Sequence, residues 1–152
     1  MAQIGKQNLY EHSIGVPLIF AGPGLPKGKK NNALCHLHDI FPTLCDLAGL
    51  NTPETVTSKS LAPLIHKEVE SLYDTQFYAY TKSQRAVRKD NWKLIRYNIK
   101  DTQTTQLFDL SQDPLEITNL ANQPQYKDKV IELKNRLAEL GKTLNDTEDW
   151  YQ

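Results

Sequence analysis

QFYAYTKSQRAVRKDNWKLIRYNI, residues 76–99, contains three short runs of β-prone residues, and a fourth run, QLFDLS (106–111), follows it. Aromatic and β-branched side chains fill these runs, which is typical of strands. Turn residues separate them, most clearly Lys89-Asp90-Asn91 between the second and third runs. The pattern predicts a meander of four antiparallel strands.

The segment after the predicted sheet has the spacing of an amphipathic helix. Its apolar residues recur at intervals of three and four, and its other face is charged. The apolar positions are Val130, Leu133, Leu137, Leu140 and Leu144. We expect this long C-terminal helix to cover one face of the sheet.

The N-terminal half has a different pattern. VPLIFAGPG (16–24) is a continuous apolar run that ends in turn residues, which favours a buried parallel strand. LHDIFPTLCDLAGL (37–50) predicts a helix with Ile40, Leu44, Leu47 and Ala48 on its buried face and Gly49 at its end. SLAPLIHKE (60–68) predicts a short helix. A lone parallel strand needs neighbours, so the pattern suggests partners outside these residues.

The composition points to neither a nucleic-acid nor a membrane partner. Lys and Arg together number 18, as do Asp and Glu, so the net charge gives no reason to expect a nucleic-acid or membrane partner. The sequence contains no apolar run of the length that a spanning helix requires, and its first residues do not resemble an export signal.

The two cysteines lack the spacing of a disulfide framework or a zinc site. Cys45 lies in the apolar helical stretch and is predicted to be core. Cys35 adjoins His36 and His38 in CHLHD, a combination that suits a metal or a Cys/His nucleophile pair. Neighbouring strand residues face opposite sides, however, and no second ligand pair follows. We interpret this cluster as a strand-to-helix junction.

Several spaced blocks together resemble the C-terminal portion of type I sulfatases of the arylsulfatase type. The blocks are GKQNLYE (5–11), VPLIFAGPG (16–24), HDIFPTLCDLAGL (38–50), RAVRKDNWKLIRY (85–97) and QLFDLSQDPLEITNLA (106–121). They occur in collinear order over nearly the whole chain. The resemblance implies an enzyme that hydrolyses sulfate esters or sulfamates on an alkaline-phosphatase-like fold.

The resemblance implies an α/β fold for the complete catalytic domain. Taken alone, the present residues would be classed as α+β. Residues 1–72 would be the C-terminal end of the catalytic domain, including the end of its central sheet. Residues 73–152 would be a C-terminal subdomain with a four-stranded antiparallel sheet packed against the long helix.

The resemblance also implies a catalytic role for Lys6, which matches the lysine that contacts the substrate's sulfate in this family. An ammonium group has three donors for an anion and offsets charge on the leaving oxygen. The family's formylglycine arises in a Cys/Ser-x-Pro/Ala-x-Arg motif, which neither Cys35 nor Cys45 fits. Calcium is expected in the complete enzyme, on ligands that precede the Gly-Lys block. We therefore expect no metal ligand and no cofactor on this chain, and no turnover by it alone.

Two positions depart from the family's pattern. Gly15 stands where an arginine commonly precedes Val-Pro, and Ser58 stands where a glycine often precedes Lys59. The first removes a charged anchor, and the second removes a turn glycine.

The loops of this subdomain face the substrate in the family, so the resemblance implies candidates for binding a sulfated small molecule or carbohydrate. These are His12, Gln84, Arg85 and Arg88. A guanidinium binds planar anions through two donors, although strand arginines with solvated tips are the simpler interpretation. Trp92 and Tyr97 could stack on a sugar, but their strand positions favour the core. QDPLEITNL (112–120) is expected to fix a turn through its Asp and Asn side chains.

Two further interpretations remain open at this point. The chain could be a non-catalytic module that binds anionic carbohydrate through Lys6, Arg85 and Arg88, or a structural remnant. If the missing N-terminal sulfatase portion does not cover VPLIF (16–20), we expect self-association through that apolar stretch. The compartment stays open, although family members are often periplasmic, secreted or lysosomal.

Overall fold

The computed structural model describes residues 7–100 and 102–152, which divide into two units. The first unit contains residues 7–17 and the described residues from Thr75 onward, and the second contains Leu18–Asp74. The predicted division into residues 1–72 and 73–152 stays a prediction.

The first unit contains the four-stranded sheet. Its strands are β1 (Thr75–Tyr80), β2 (Gln84–Lys89), β3 (Trp92–Ile99) and β4 (Thr102–Asp109), antiparallel in the order β1-β2-β3-β4. Lys89 pairs with Trp92 across the turn formed by Asp90 and Asn91, where Asp90 has a φ of 54°. The predicted meander is therefore confirmed.

The start of β4 differs from the prediction. The strand begins at Thr102 because Thr102 pairs with Ile99 and the threonines that follow extend the ladder. β-branched threonines fit a pleated strand although they carry no apolar pattern. The strand ends at Asp109, whose Oδ1 accepts a hydrogen bond from the Ser111 N–H at 3.0 Å.

The long C-terminal helix covers one face of the sheet, as predicted. Helix α4 spans Lys127–Thr143 (helices are numbered in chain order). Leu133 and Leu137 are fully buried and pack with Val87, Leu94 and Leu107 of the strands. The spacing predicts Leu144 on the same face, but this residue lies just beyond the helix and is 58% exposed.

The other face of the sheet is covered by the N-terminal segment. Leu9 packs with Ala86, Ile95 and Phe108, and the short helix α1 (Glu11–Ile14) comes directly after it. The sequence pattern gives no sign that this segment packs on the meander.

The second unit contains two helices, α2 (Ile40–Leu47) and α3 (Ala62–Ile65). Gly49, with a φ of 67°, closes α2 as predicted, because Leu50 N–H donates to the Cys45 carbonyl at 2.9 Å. Cys45, predicted to be core, is only partly buried.

Two other predictions for the N-terminal half are wrong. Residues 16–24 form no strand, since none of the described residues pairs with them. In α2, Leu44 and Leu47 are 54% and 37% exposed, whereas Pro42 and Thr43 are buried. Thr43 is fixed by polar contacts: its Oγ1 donates to the Asp39 carbonyl at 2.6 Å and accepts from Leu61 N–H at 2.7 Å.

Candidate functional site

Residues 7–14 are anchored to the sheet directly after the predicted sulfate-contacting lysine. Asn8 and Leu9 are 2% and 4% exposed. The Tyr10 hydroxyl donates to Gln106 Oε1 at 2.7 Å, and the Gln84 side-chain amide donates to the Gln7 carbonyl at 3.1 Å. Contacts from β2 and β4 thus fix the backbone that comes after Gly5-Lys6.

Four charged side chains meet beneath this segment. Lys93 Nζ lies 3.0 Å from Glu11 Oε1 and 2.9 Å from Glu116 Oε1. Arg88 Nη1 donates to Glu11 Oε2 at 3.0 Å. Arg88 and Lys93 are register partners on β2 and β3, so their side chains project from the same face. We call these four residues the charge cluster; its formal charges cancel.

The charge cluster is largely removed from solvent. The side chains of Lys93 and Glu116 are 0% and 1% exposed, and that of Glu11 is 23% exposed. Glu116 also accepts a hydrogen bond from the Glu11 N–H. Because buried charges require partners, these contacts fix the position of helix α1 on the sheet.

Glu116 is presented by the loop after β4. The Asp113 carboxylate accepts from Thr118 N–H at 2.8 Å, and Asn119 Oδ1 accepts from Leu107 N–H at 3.0 Å. The prediction that Asp and Asn side chains fix this turn is confirmed. No role for Glu116 was predicted from the sequence. Its φ of 56° lies in the left-handed region, which residues other than glycine rarely adopt. The glutamates in the quoted blocks GKQNLYE and QDPLEITNL were the available signal.

The predicted site residues occupy different places. Lys6 lies outside the described residues. His12 is exposed in helix α1, where its ring stacks on Tyr10 with centroids 5.7 Å apart. Arg88 belongs to the charge cluster on the same face of the sheet. His12 and Arg88 therefore lie on the side of the unit that carries residues 7–14.

Arg85 projects from the opposite face of the sheet. Its guanidinium forms an ion pair with Asp146 beyond the end of α4 and donates to the Thr81 carbonyl at 2.7 Å. The hydrogen bond from Arg85 lowers the pKa of the Asp146 carboxyl. Since Arg85 and Arg88 point to opposite faces, the structure does not bring them together on one anion.

The aromatic candidates pack as core residues. Tyr97 is 7% exposed, and burial raises the pKa of its hydroxyl. Trp92 packs against the helix-side core, with its ring centroid 5.6 Å from that of Tyr126. Their interpretation as core residues is confirmed.

The CHLHD cluster organises a junction in the second unit. The buried Asp39 carboxylate accepts from His36 N–H at 2.7 Å and from the Tyr73 hydroxyl at 2.7 Å. The rings of His36 and His38 stack with centroids 4.8 Å apart. Burial raises the pKa of the Cys35 thiol, which disfavours the nucleophilic thiolate.

Neither a metal site nor a membrane span is found in the part of the chain that the structure describes. No group of three or more His, Cys, Asp or Glu side chains in residues 7–100 and 102–152 could hold a metal ion. Calcium requires six to eight oxygen ligands, so these residues do not fit the calcium that the resemblance implies. Among the same residues, no helix is both long and apolar enough to cross a bilayer.

A model of one protein family matches nearly all of the chain. The family is described as "N-sulphoglucosamine sulphohydrolase, C-terminal", and the match covers residues 3–143.

Curated relatives match over similar lengths. A sulfatase from Formosa agariphila is 37% identical over 139 residues, which are 91% of this chain and 27% of that protein. Human arylsulfatase K is 35% identical over 131 residues, covering 78% of this chain and 24% of that protein. The chain thus spans about a quarter of the length of these relatives.

Solved structures show the same architecture. A Bacteroides thetaiotaomicron protein described as a sulfatase superposes with a TM-score of 0.75 at 29% identity, over 91% of this chain and 32% of that chain. A second structure, solved with its substrate D-glucosamine-2-N,6-O-disulfate, gives a TM-score of 0.64 at 25% identity, over 75% of this chain and 25% of that chain. The four-stranded sheet with its long C-terminal helix matches the C-terminal subdomain of these proteins.

Proposed function

Because the chain belongs to the sulfatase family, we propose that it forms the C-terminal part of a sulfuric ester hydrolase, with Lys6 as its sulfate-contacting residue. The observation that carries the proposal is the family match over residues 3–143, which includes Gly5-Lys6 and the sheet that anchors the residues after it. The chain supplies the wall on the substrate side together with Lys6.

The residues directly after Lys6 support its role. Asn8 is buried two residues later, and Glu11 is held by Arg88 and Lys93. The described backbone is therefore fixed from residue 7 onward. Preorganised donors stabilise developing negative charge at little reorganisation cost, as cleavage of a sulfate ester demands.

The proposed substrate is a sulfated small molecule or carbohydrate. One structural neighbour was solved with a disulfated glucosamine as its substrate. His12 and Arg88 lie on the same face as the anchored segment, so we assign them to the substrate side. Arg85 has a carboxylate and two carbonyl partners on the other face, which favours a structural role for it.

Turnover requires groups beyond these residues. Neither Cys35 nor Cys45 stands in the motif that yields formylglycine, and the described residues form no calcium site. We therefore assign both groups to the rest of the complete enzyme and expect this chain to be inactive alone. Lys6 and the substrate-side wall are the chain's contribution.

The test is a chimera in which this chain replaces the matching quarter of the Formosa agariphila sulfatase. We expect the chimera to hydrolyse an aryl sulfate or a sulfated glucosamine. Lys6→Ala should lower its kcat/KM by about 10²- to 10³-fold, the usual cost of removing one transition-state donor. The matched control Lys27→Ala, in the exposed loop after GPG, should change it less than about twofold.

Folding of each chimera is checked by circular dichroism and thermal unfolding. A folded, active chimera in which Lys6→Ala behaves like Lys27→Ala would refute the role of Lys6. A folded but inactive chimera would show that this chain does not supply the contribution of the family's C-terminal part.

A further inference from the structure

A pocket of about 390 Å³ opens at one end of the sheet in the first unit. It lies between the β1–β2 turn, the end of β3 and the C-terminal tail. Among the predicted site residues that the structure describes, His12, Arg85 and Arg88 do not line it. Its lining residues are Thr81, Lys82, Ser83, Asn98, Lys100, Glu148 and Trp150.

Trp150 supplies an aromatic surface that the tail holds in place. Its indole N–H donates to the Lys82 carbonyl at 3.1 Å. Tyr151, which is 1% exposed, meets the indole edge to face, with ring centroids 5.9 Å apart at 90°. An indole held in place beside a pocket can stack against the apolar C–H face of a sugar ring.

The pocket combines two ammonium groups with one carboxylate. The Lys82 side chain is 90% exposed, and its Nζ lies 3.9 Å from Glu148 Oε1, too far for a tight ion pair. Lys100 approaches from the β3–β4 turn. The formal charge of these three groups is positive by one, so an anion is favoured over a cation.

Neutral hydrogen-bonding groups lie between the charges. The hydroxyls of Thr81 and Ser83 are 2.8 Å apart, so one of the two keeps a donor for which the described residues show no acceptor. Asn98 also lines the pocket, although its Oδ1 is buried and makes no hydrogen bond to any of the described residues. Hydroxyl, amide and ammonium groups around an indole are the set that recognises a polyhydroxylated anion.

We propose that this pocket binds one sulfated sugar unit, with the ring against Trp150 and the sulfate between Lys82 and Lys100. The choice of sulfate among anions rests on the proposed function, whereas the sugar chemistry rests on the pocket's own residues. Glu148 opposes the anion and therefore weakens binding. In a complete sulfatase, such a pocket would hold part of a longer sulfated chain.

The experiment measures the fluorescence of Trp150 in this chain. The chain has two tryptophans, so Trp92→Phe leaves Trp150 as the sole indole signal. D-Glucosamine-2-N,6-O-disulfate is titrated to about 1 mM, the weak end of specific affinities. N-Acetyl-D-glucosamine and sodium sulfate, at matched ionic strength, are titrated in parallel.

Removing a lysine charge and removing the glutamate charge should change the affinity in opposite directions. Lys82→Gln and Lys100→Gln should each weaken binding of the disulfated sugar about two- to fivefold, the effect of one exposed ion pair. Glu148→Gln should tighten it by a similar factor. Lys127→Gln, an exposed lysine on α4 outside the pocket, is the matched control and should leave the affinity unchanged.

Three results would overturn the proposal. The first is no saturable signal from the disulfated sugar. The second is equal binding of the unsulfated sugar or of free sulfate. The third is loss of binding with Lys6→Ala but not with Lys82→Gln, which would place the ligand at Lys6 and leave the proposed function standing. Failure of the chimera with intact pocket binding would refute the proposed function alone.

Discussion

Lys93 carries its charge in a fully buried position between two glutamates. Glu116 is equally buried, so each charge of this pair is stabilised by the other and not by water. Burying such a pair gives little net stability, but leaving one member without the other is costly. The cluster therefore specifies how residues 7–14 lie on the sheet more than it raises overall stability.

The substitution Lys93→Met tests this role of the charge cluster. The substitution leaves Glu116 buried without its cation, so we expect the free energy of unfolding to fall by about 3–5 kcal/mol in urea titrations. The matched control is Lys89→Met, because Lys89 and its partner Glu132 are each 39% exposed. That control should cost at most about 1 kcal/mol. Equal losses in the two variants would show that Glu116 is not compensated by Lys93.

His36 provides a pH prediction in the second unit. Burial lowers the pKa of its imidazole below 6.5, and the neighbouring His38 lowers it further, while Asp39 opposes the shift. The unfolded chain therefore binds this proton at higher pH than the folded chain. Stability from His36 is fully present above pH 6.5 or so and falls as the pH decreases towards the folded-state pKa.

The measurement for His36 is the urea midpoint at pH of about 7.5 and about 5.5. His36→Asn should reduce the loss of stability between these two values. An equal loss in the wild-type chain and the variant would mean that other groups account for it.

The secondary-structure elements differ in how well they could be predicted from the sequence. The meander and α4 were predictable because β-prone runs, turn residues and a three-to-four spacing each act locally. The start of β4 was missed since threonines pair by register without an apolar pattern. The predicted buried face of α2 was wrong. Thr43 is buried through its hydrogen bonds to Asp39 and Leu61, which apolar periodicity does not predict. Residues 16–24 form no strand because a strand requires a partner.

The candidate site was less predictable than the fold. The roles that the resemblance implies for Lys6, His12 and Arg88 stay predictions. Spacing alone could not pair Arg85 with Asp146 on the other face. The pairing of Glu11 with Lys93 spans 82 residues, and that of Lys93 with Glu116 depends on a loop. Such contacts depend on tertiary structure and are not visible in local sequence.

Gly141 allows a prediction at the level of helix α4. Replacing glycine by alanine inside a helix ordinarily stabilises it by about 1 kcal/mol. Here an added Cβ would lie 1.7 Å from the Tyr151 hydroxyl and 2.6 Å from its Cζ. We expect Gly141→Ala to lower the stability by about 1–3 kcal/mol instead, as overpacking does.

Thermal unfolding measures the effect of Gly141→Ala. Asn135→Ala, at an exposed position of the same helix, is the control and should raise Tm slightly. A Tm above wild type for Gly141→Ala would show that Tyr151 does not pack against this turn.

Several large apolar side chains are exposed among the residues that the structure describes. Val16 is 44% exposed, Ile19 85%, Phe41 53% and Leu50 64%. Exposed apolar surface is typical of interaction sites where it forms a contiguous patch. We propose that the rest of the sulfatase covers it in the complete protein.

Self-association of the isolated chain is the expected consequence of this surface. We expect light scattering to show dimers or larger species that increase with concentration, and Ile19→Glu and Phe41→Glu to shift them towards monomers. Leu144→Glu, at an exposed site in the first unit, is the control and should have no such effect. A strictly monomeric chain at high concentration would contradict the prediction.

The most direct test of the proposed function is the coding sequence immediately upstream of Met1. We predict an in-frame segment that contains a Cys/Ser-x-Pro/Ala-x-Arg motif and the acidic ligands of a calcium site. Lys6 would then stand in the last quarter of a complete sulfatase. An in-frame stop codon and a ribosome-binding site directly before Met1 would contradict it, because the chain would then be made without the groups that sulfate hydrolysis requires.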